Sequence, residues 1–198
     1  MPATTADELY QRLITVAKDE NIILHDAVER PIPRQTDRDN QKDDYSGKQK
    51  DHTCKNELVV DTKSGMPPRI IHFISPSVEG KIHDKTLCDS LELKFPNRIG
   101  LFQDLGYLGY RPENIAEVFI PIKKTKYKPE LNEEEIAYNA FVGTIRVTVE
   151  HVIGAFQTLR IVRDTIRIKG EMVRDTVAYV AAALHNLRNY SRNPKFAA

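Results

Sequence analysis

No stretch of this 198-residue chain approaches the run of apolar residues, roughly 20, that a helix needs to span a bilayer. The opening residues, MPATTADELYQRL, lack the basic head and apolar core of a secretory signal. Cysteine is scarce: Cys54 and Cys88 form no CxxC pair, which excludes a disulfide framework and fits a reduced, cytosolic protein. Net charge is nearly absent, with 29 Lys and Arg against 28 Asp and Glu. Any affinity for nucleic acid must therefore come from local patches. There is no internal repeat and no low-complexity segment. What remains, 40% hydrophobic and 29% charged residues, is the composition of a globular domain with a sizeable core.

The most informative stretch is Phe141 to Arg160. Its apolar residues Val142, Ile145, Val149, Val152, Ile153 and Phe156 follow the spacing of an amphipathic helix. Arg146 and Glu150 stand four apart on a second face, to which Gln157 returns. Two readings are open for Glu150. It makes an i, i+4 salt bridge on a solvated face, or it is one leg of a metal-binding acidic cluster.

Taken in order, residues 5–19 have helical spacing, with Thr5 as a cap three residues before Glu8. Asn21 to Leu24 is a short apolar run ending at His25-Asp26, as in a buried strand that delivers a carboxylate or opens a turn there. Arg30 to Asp51 is highly charged and reads as an exposed loop or loose hairpin. His52 to Asp61 and Arg69 to Ser75 read as strands around a turn over Thr62 to Pro68. Gly80 to Phe95 reads as a helix with Asp84 capping its start; His83 beside it has no ligand spacing of its own. Arg98 to Phe102 is a fourth strand, ending at Asp104 and a glycine turn, and Glu117 to Ile122 a fifth. Lys123, Lys124, Lys126 and Lys128 form a basic cluster around Tyr127. Asn132 and Glu135 start the long helix, in which Gly143 allows a bend or close packing. Ile161 to Lys169 reads as a strand or extended arm. Glu171 to Tyr190 reads as a helix with Met172, Thr176, Val180, Leu184 and Leu187 on its apolar side.

Three acids stand out: Asp26 after the first strand, Asp104 after the fourth, and Glu150 on the late helix. If those two strands are neighbours, the aspartates lie side by side and a helix across that edge can add the glutamate. Crowded carboxylates repel. Magnesium relieves that repulsion, and two such ions can activate a water or 3′-hydroxyl against a phosphodiester.

The wording around these acids carries a resemblance. Asp26-Ala27-Val28-Glu29-Arg30-Pro31-Ile32, Gln41-Lys42 and the block Tyr45 to Thr53 resemble the first catalytic block of bacterial insertion-sequence transposases of the DDE superfamily. Gly80 to Lys85 continues it. Asp104 to Gly109 is similar to the second block, Arg146 to Gly154 to the third, and Leu184 to Leu187 to the closing helix. The resemblance runs from about residue 22 to 190. It implies an α/β, RNase H-like fold with a mixed five-stranded sheet flanked by helices. A helical lead-in would occupy residues 1–20, the catalytic domain 21–190 and a tail 191–198. It also implies a transposase that cleaves DNA at element ends and joins the 3′-hydroxyl to target DNA. Asp26, Asp104 and Glu150 would hold two divalent cations, Mg²⁺ or Mn²⁺. Arg146 would orient a carboxylate or contact phosphate. Lys48, Lys50, His52, Lys123, Lys124, Lys126 and Arg160 would contact DNA.

The same resemblance implies a homodimer on DNA, a place in the bacterial cytoplasm at the nucleoid, and no membrane. Departures from the family pattern are Ala27-Val28 for Gly-Thr, Gly143 for a tyrosine, Gln157 for a lysine and Leu105 for a lysine. The short front is expected to lack a helix-turn-helix that another polypeptide would supply. These departures keep two alternatives open, a nuclease that cuts without joining and a DNA-binding remnant.

Overall fold

The structure, a computed structural model, describes residues 1–15, 22–61, 69–168 and 170–192. Strand β1 (Ile22–Pro31) is its spine. It pairs antiparallel with β3 (Asp51–Asp61) from Ile23↔Asp61 to Pro31↔Thr53. On its other side it pairs parallel with β6 (Gly100–Phe102), but only from Ile22↔Gly100 to Leu24↔Phe102. β6 pairs parallel with β7 (Glu117–Phe119). β2 (Tyr45–Ser46), β4 (Ile71–Ile74) and β5 (Val78–Glu79) each pair antiparallel with β3. The first and fourth expected strands are thus neighbours. The sheet is mixed, as expected, but has seven strands among the described residues rather than five. The two additional strands, β2 and β5, are two residues long and too short to show an alternation in sequence.

Alternation along β1 assigns the two faces. Ile23 enters one core with Leu9 and Leu13 of α1 (Ala6–Thr15), Cys88 of α3 (Asp84–Leu91), Leu101 and Tyr107. Leu24 and Val28 enter the other, with Leu58, Phe102, Val142, Val149, Val152 and Phe156. Val142, Val149, Val152 and Phe156 lie on α4 (Glu133–Gln157), so the seam read in the sequence is the seam that packs. Asn132 accepts a hydrogen bond from Glu135 N at 2.8 Å and Glu135 accepts one from Asn132 N at 3.1 Å, which closes the expected capping box. Nothing lies within 4 Å of a Cβ placed on Gly143, so no close packing requires it, and α4 runs through it unbroken.

Several expectations are corrected. The charged stretch after Pro31 contains α2 (Arg38–Asp44), a helix with no apolar seam to announce it. Ile161 onward is not a strand: α5 (Arg160–Arg163) is a single turn that buries Val162. The α6 helix (Glu171–Arg192) turns its large apolar residues outward, with Met172, Val180, Leu184 and Leu187 exposed. Its buried face is Ala178, Ala181, Ala182, His185 and Asn186. The reason is polar. Asn186 donates to Ile71 O at 2.8 Å and accepts from Ile71 N at 2.9 Å, and the alanines allow the close approach. Asp84 is not a cap; His83 occupies that position without a side-chain bond, and is exposed. The expected turn over Thr62 to Pro68 lies outside the described residues, as do the tail 193–198 and the end of the first expected helix.

Gly80 is required by space. A Cβ there would meet Thr53 Oγ1 at 2.1 Å, Thr53 O at 2.8 Å and Asp44 O at 2.9 Å. Gly80→Ala should therefore lower stability by roughly 1–3 kcal/mol in urea unfolding. Asn132→Ala, which opens the capping box, should cost about 1 kcal/mol. A neutral Gly80→Ala would mean that β3 and β5 are not in this register.

Candidate active site

The site forms where β1 and β6 part company. Their pairing ends at Leu24↔Phe102, while β1 continues along β3 to Pro31. Asp26 is thus in the middle of a ten-residue strand and not at its end, as the apolar run alone suggested. It is nevertheless on the open side, because β6 has turned away. Asp104 sits two residues past Phe102, as Asp26 sits two past Leu24, so the two occupy equivalent positions on adjacent parallel strands. Both face α4, on the side of Leu24, Val28 and Phe102.

Each aspartate is fixed from behind. Ala27 N donates to Asp26 Oδ1 at 2.8 Å. Gly106 N donates to Asp104 Oδ1 at 3.3 Å, which caps the single 3₁₀ turn Leu105–Tyr107. Their other oxygens converge on one nitrogen of α4. Arg146 Nη2 lies 3.2 Å from Asp104 Oδ2 and 3.8 Å from Asp26 Oδ2. Arg146 does not take the i, i+4 salt bridge with Glu150; it turns to the aspartates instead. Its buried Nε makes no hydrogen bond among the described residues. Burial, helped by the negative charge of Glu57, pushes the Asp26 carboxyl up to about 6, and Arg146 pulls it back only in part.

Glu150 lies one turn beyond Arg146 on α4 and is exposed, with no described contact to either aspartate. The structure therefore brings Asp26, Asp104 and Arg146 together and leaves Glu150 exposed on α4. The basic residues are dispersed. Lys48 and Lys50 are exposed in the turn between β2 and β3, Lys50 with φ 56°. His52 is half-buried, its ring edge-on to Tyr45 with centroids 5.7 Å apart. Lys123, Lys124 and Lys126 are exposed beyond β7 beside a turn closed by Thr125 and Lys128. Arg160 is exposed but held by Asp164 at 2.8 Å.

A second polar layer supports the site, and it was not singled out in the sequence. Lys55 is buried in β3 and donates to Asp84 Oδ1 and to Ile82 O, both at 2.8 Å, with Glu29 Oε1 at 3.8 Å. Thr53 Oγ1 donates to Glu29 Oε2 at 2.9 Å. The other oxygen of Asp84 would lie 2.8 Å from a Cβ on Gly106, so the glycine after Asp104 admits this carboxylate. Lys55 beside the buried apolar residues Cys54, Leu58, Val59 and Val60 of one strand was the available signal.

The donor set of the two aspartates is hard oxygen, and both carboxylates already converge on a cation, the guanidinium of Arg146. That arrangement fits a divalent metal of the magnesium type. Residues 25–186 match the model of the DDE superfamily endonucleases, and the chain belongs to that family. It is 31% identical over 158 residues to a protein described as a probable transposase for insertion sequence element IS702 from Microchaete diplosiphon. The match covers 79% of this chain and 54% of the relative, so the chain spans about half the length of that relative. No solved structure is significantly similar to the chain. No helix among the described residues is long and apolar enough to cross a membrane.

The raised Asp26 carboxyl sets a pH dependence. An acid raised from 3.8 to about 6 costs the fold nothing near pH 4 and its full penalty above pH 6. With chelator present, Asp26→Asn should stabilise the protein at pH 8 by up to about 3 kcal/mol, given about 1.4 kcal/mol per pKa unit. The gain should vanish near pH 4. Thermal unfolding at both pH values measures it, and equal shifts at the two would contradict the assignment.

Proposed function

We propose that residues 21–190 form the RNase H-like catalytic domain of an insertion-sequence DDE transposase that cuts DNA at element ends and joins the 3′-hydroxyl to target DNA. The observation that carries this reading is the convergence of Asp26 and Asp104 on Arg146 across the parting of β1 and β6. Asp26, Asp104 and Glu150 would hold Mg²⁺ or Mn²⁺. When bound, such ions activate the attacking oxygen and stabilise the leaving one. The chain's own contribution is placement. The backbone amides of Ala27 and Gly106 fix the far oxygens of the two aspartates and turn the near ones toward Arg146, where a cation would lie. Arg146 offsets the repulsion of two carboxylates before a cation arrives and can then turn to a phosphate oxygen.

Lys48, Lys50, His52, Lys123, Lys124, Lys126 and Arg160 are the proposed backbone contacts to DNA, supported by the exposure of the lysines. Such contacts give affinity that falls with salt and carries no sequence information. Cleaving two ends together calls for a homodimer on DNA, and the family reading places it at the bacterial nucleoid in the cytoplasm. A second reading has support of its own. Glu150 is exposed and Arg160 is tied to Asp164, as expected of a chain that only nicks DNA or only binds it.

Nicking of supercoiled DNA with Mg²⁺ or Mn²⁺ tests the proposal. Wild-type protein should nick, and Asp104→Asn should lose at least 100-fold. Arg146→Ala should lose on the order of 10-fold or more, the scale of one charge-assisted contact. Strand-transfer products from a 3′-hydroxyl donor separate transposase from nuclease. DNA binding without metal-dependent nicking in the wild type would establish the binding-only reading.

A further inference from the structure

Directly behind Asp26, on the opposite face of β1, lies a cluster that the nuclease reading does not use. His25 of β1, Glu57 of β3 and Cys88 of α3 are all fully buried. One ligand atom from each lies within 4.8 Å of the other two. Cys88 Sγ is 3.6 Å from His25 Nδ1, and Glu57 Oε1 is 2.9 Å from the same nitrogen.

The tautomer of His25 is set by its surroundings. Gln103 Nε2 donates to Tyr110 O at 3.1 Å, so its Oε1 must be the atom 2.9 Å from His25 Nε2. Nε2 therefore carries a proton, which leaves Nδ1, the nitrogen facing Cys88 and Glu57, as the ring atom a metal would take. This is the outer hydrogen bond that metal-ligating histidines ordinarily make. Glu57 is held in a similar way: its Oε2 accepts from the Tyr107 hydroxyl at 2.9 Å. Its Oε1, although within ion-pair distance of His25, makes no hydrogen bond and is buried. A carboxylate oxygen left without a partner in a core is costly, and it is a usual sign of an ion or proton.

We propose that His25, Glu57 and Cys88 form a second metal site, for a borderline divalent cation of the zinc type. The imidazole, thiolate and carboxylate donors select such an ion over magnesium, which prefers oxygen alone. Charge supports the assignment. A neutral imidazole, a carboxylate and a thiolate carry two negative charges together, so a divalent ion leaves the core neutral. Loading balances as one M²⁺ entering and the Cys88 thiol proton leaving to solvent, which takes the cluster from the single negative charge of Glu57 to none. The ligands come from β1, β3 and α3, so the ion would tie the sheet to its helix beneath the two aspartates. Because all three are buried, it would enter during folding. The proposal stands whether or not the chain cleaves DNA.

Cobalt provides the test, because a thiolate-to-cobalt charge-transfer band requires sulfur and the carboxylates of the nuclease site have none. The full chain is expressed with Co²⁺ in place of zinc and its near-ultraviolet spectrum and bound cobalt are measured. The expected result is one sulfur-ligated Co²⁺ per chain, retained in Asp104→Asn and Cys54→Ser and lost in Cys88→Ser. Circular dichroism establishes that Cys88→Ser is folded. If it is not, Glu57→Gln, which keeps an acceptor for Tyr107, decides: the proposal requires at least a tenfold weaker hold on Co²⁺ against a chelator. A wild type without the band, a band that survives Cys88→Ser, or unchanged retention in Glu57→Gln would each leave the cluster a hydrogen-bonded core network and overturn the proposal.

Discussion

The parting of β1 from β6 after Leu24 and Phe102 is the constraint on which the site depends. Parallel strands that stay paired hold their side chains at fixed spacing and bury their backbone. Here the pairing stops after a few residues, while β1 remains anchored to β3 as far as Pro31. The next outward positions, Asp26 and Asp104, are therefore rigidly placed yet open on one side. α4 fills that opening with Arg146.

Much of this was legible in the chain. The apolar seam of α4, its Asn132-Glu135 cap and the two strands ending near acids follow from periodicities of 3.6 and 2. Their adjacency, and with it the meeting of Asp26 and Asp104, was a topological guess supported by the resemblance of separated motifs. What was not legible has physical reasons. Asp26 lies inside a strand because β3 is long enough to extend the pairing through a charged stretch, AVERP, that carries little β signal. The inward face of α6 is not the apolar one its spacing predicts, because Asn186 and His185 bond the backbone of Ile71 and Arg69. Buried polar groups with satisfied partners defeat any rule that ranks residues by hydrophobicity alone.

Behind the aspartates the fold stores an unusual amount of buried polarity. Lys55 is matched by Asp84 and Glu29, and His25 by Gln103, with Glu57 close by. Such groups contribute little net stability against apolar replacements, but removing one partner strands the other. Their value is in position. Lys55 holds the start of α3 against β3, and Asp84 in turn crowds Gly106, the residue whose amide orients Asp104. Glu57 raises the cost of ionising Asp26 from the opposite face of the sheet. The nuclease face is thus set from the layer beneath it.

The side chain of Asn186 has one more consequence. By bracketing both backbone groups of Ile71, a helix residue takes the place a neighbouring strand would occupy. Ala3 pairs with Phe73 two residues on. β4 is therefore not a bare template on which another copy could add a strand. β7 lies at the far end of the sheet path, and Lys123 and Lys124 follow it closely in the chain. Charges at such an edge discourage end-to-end pairing. With the β4 edge occupied and lysines following β7, the sheet resists growth by accretion even though α6 exposes leucines along its outer face.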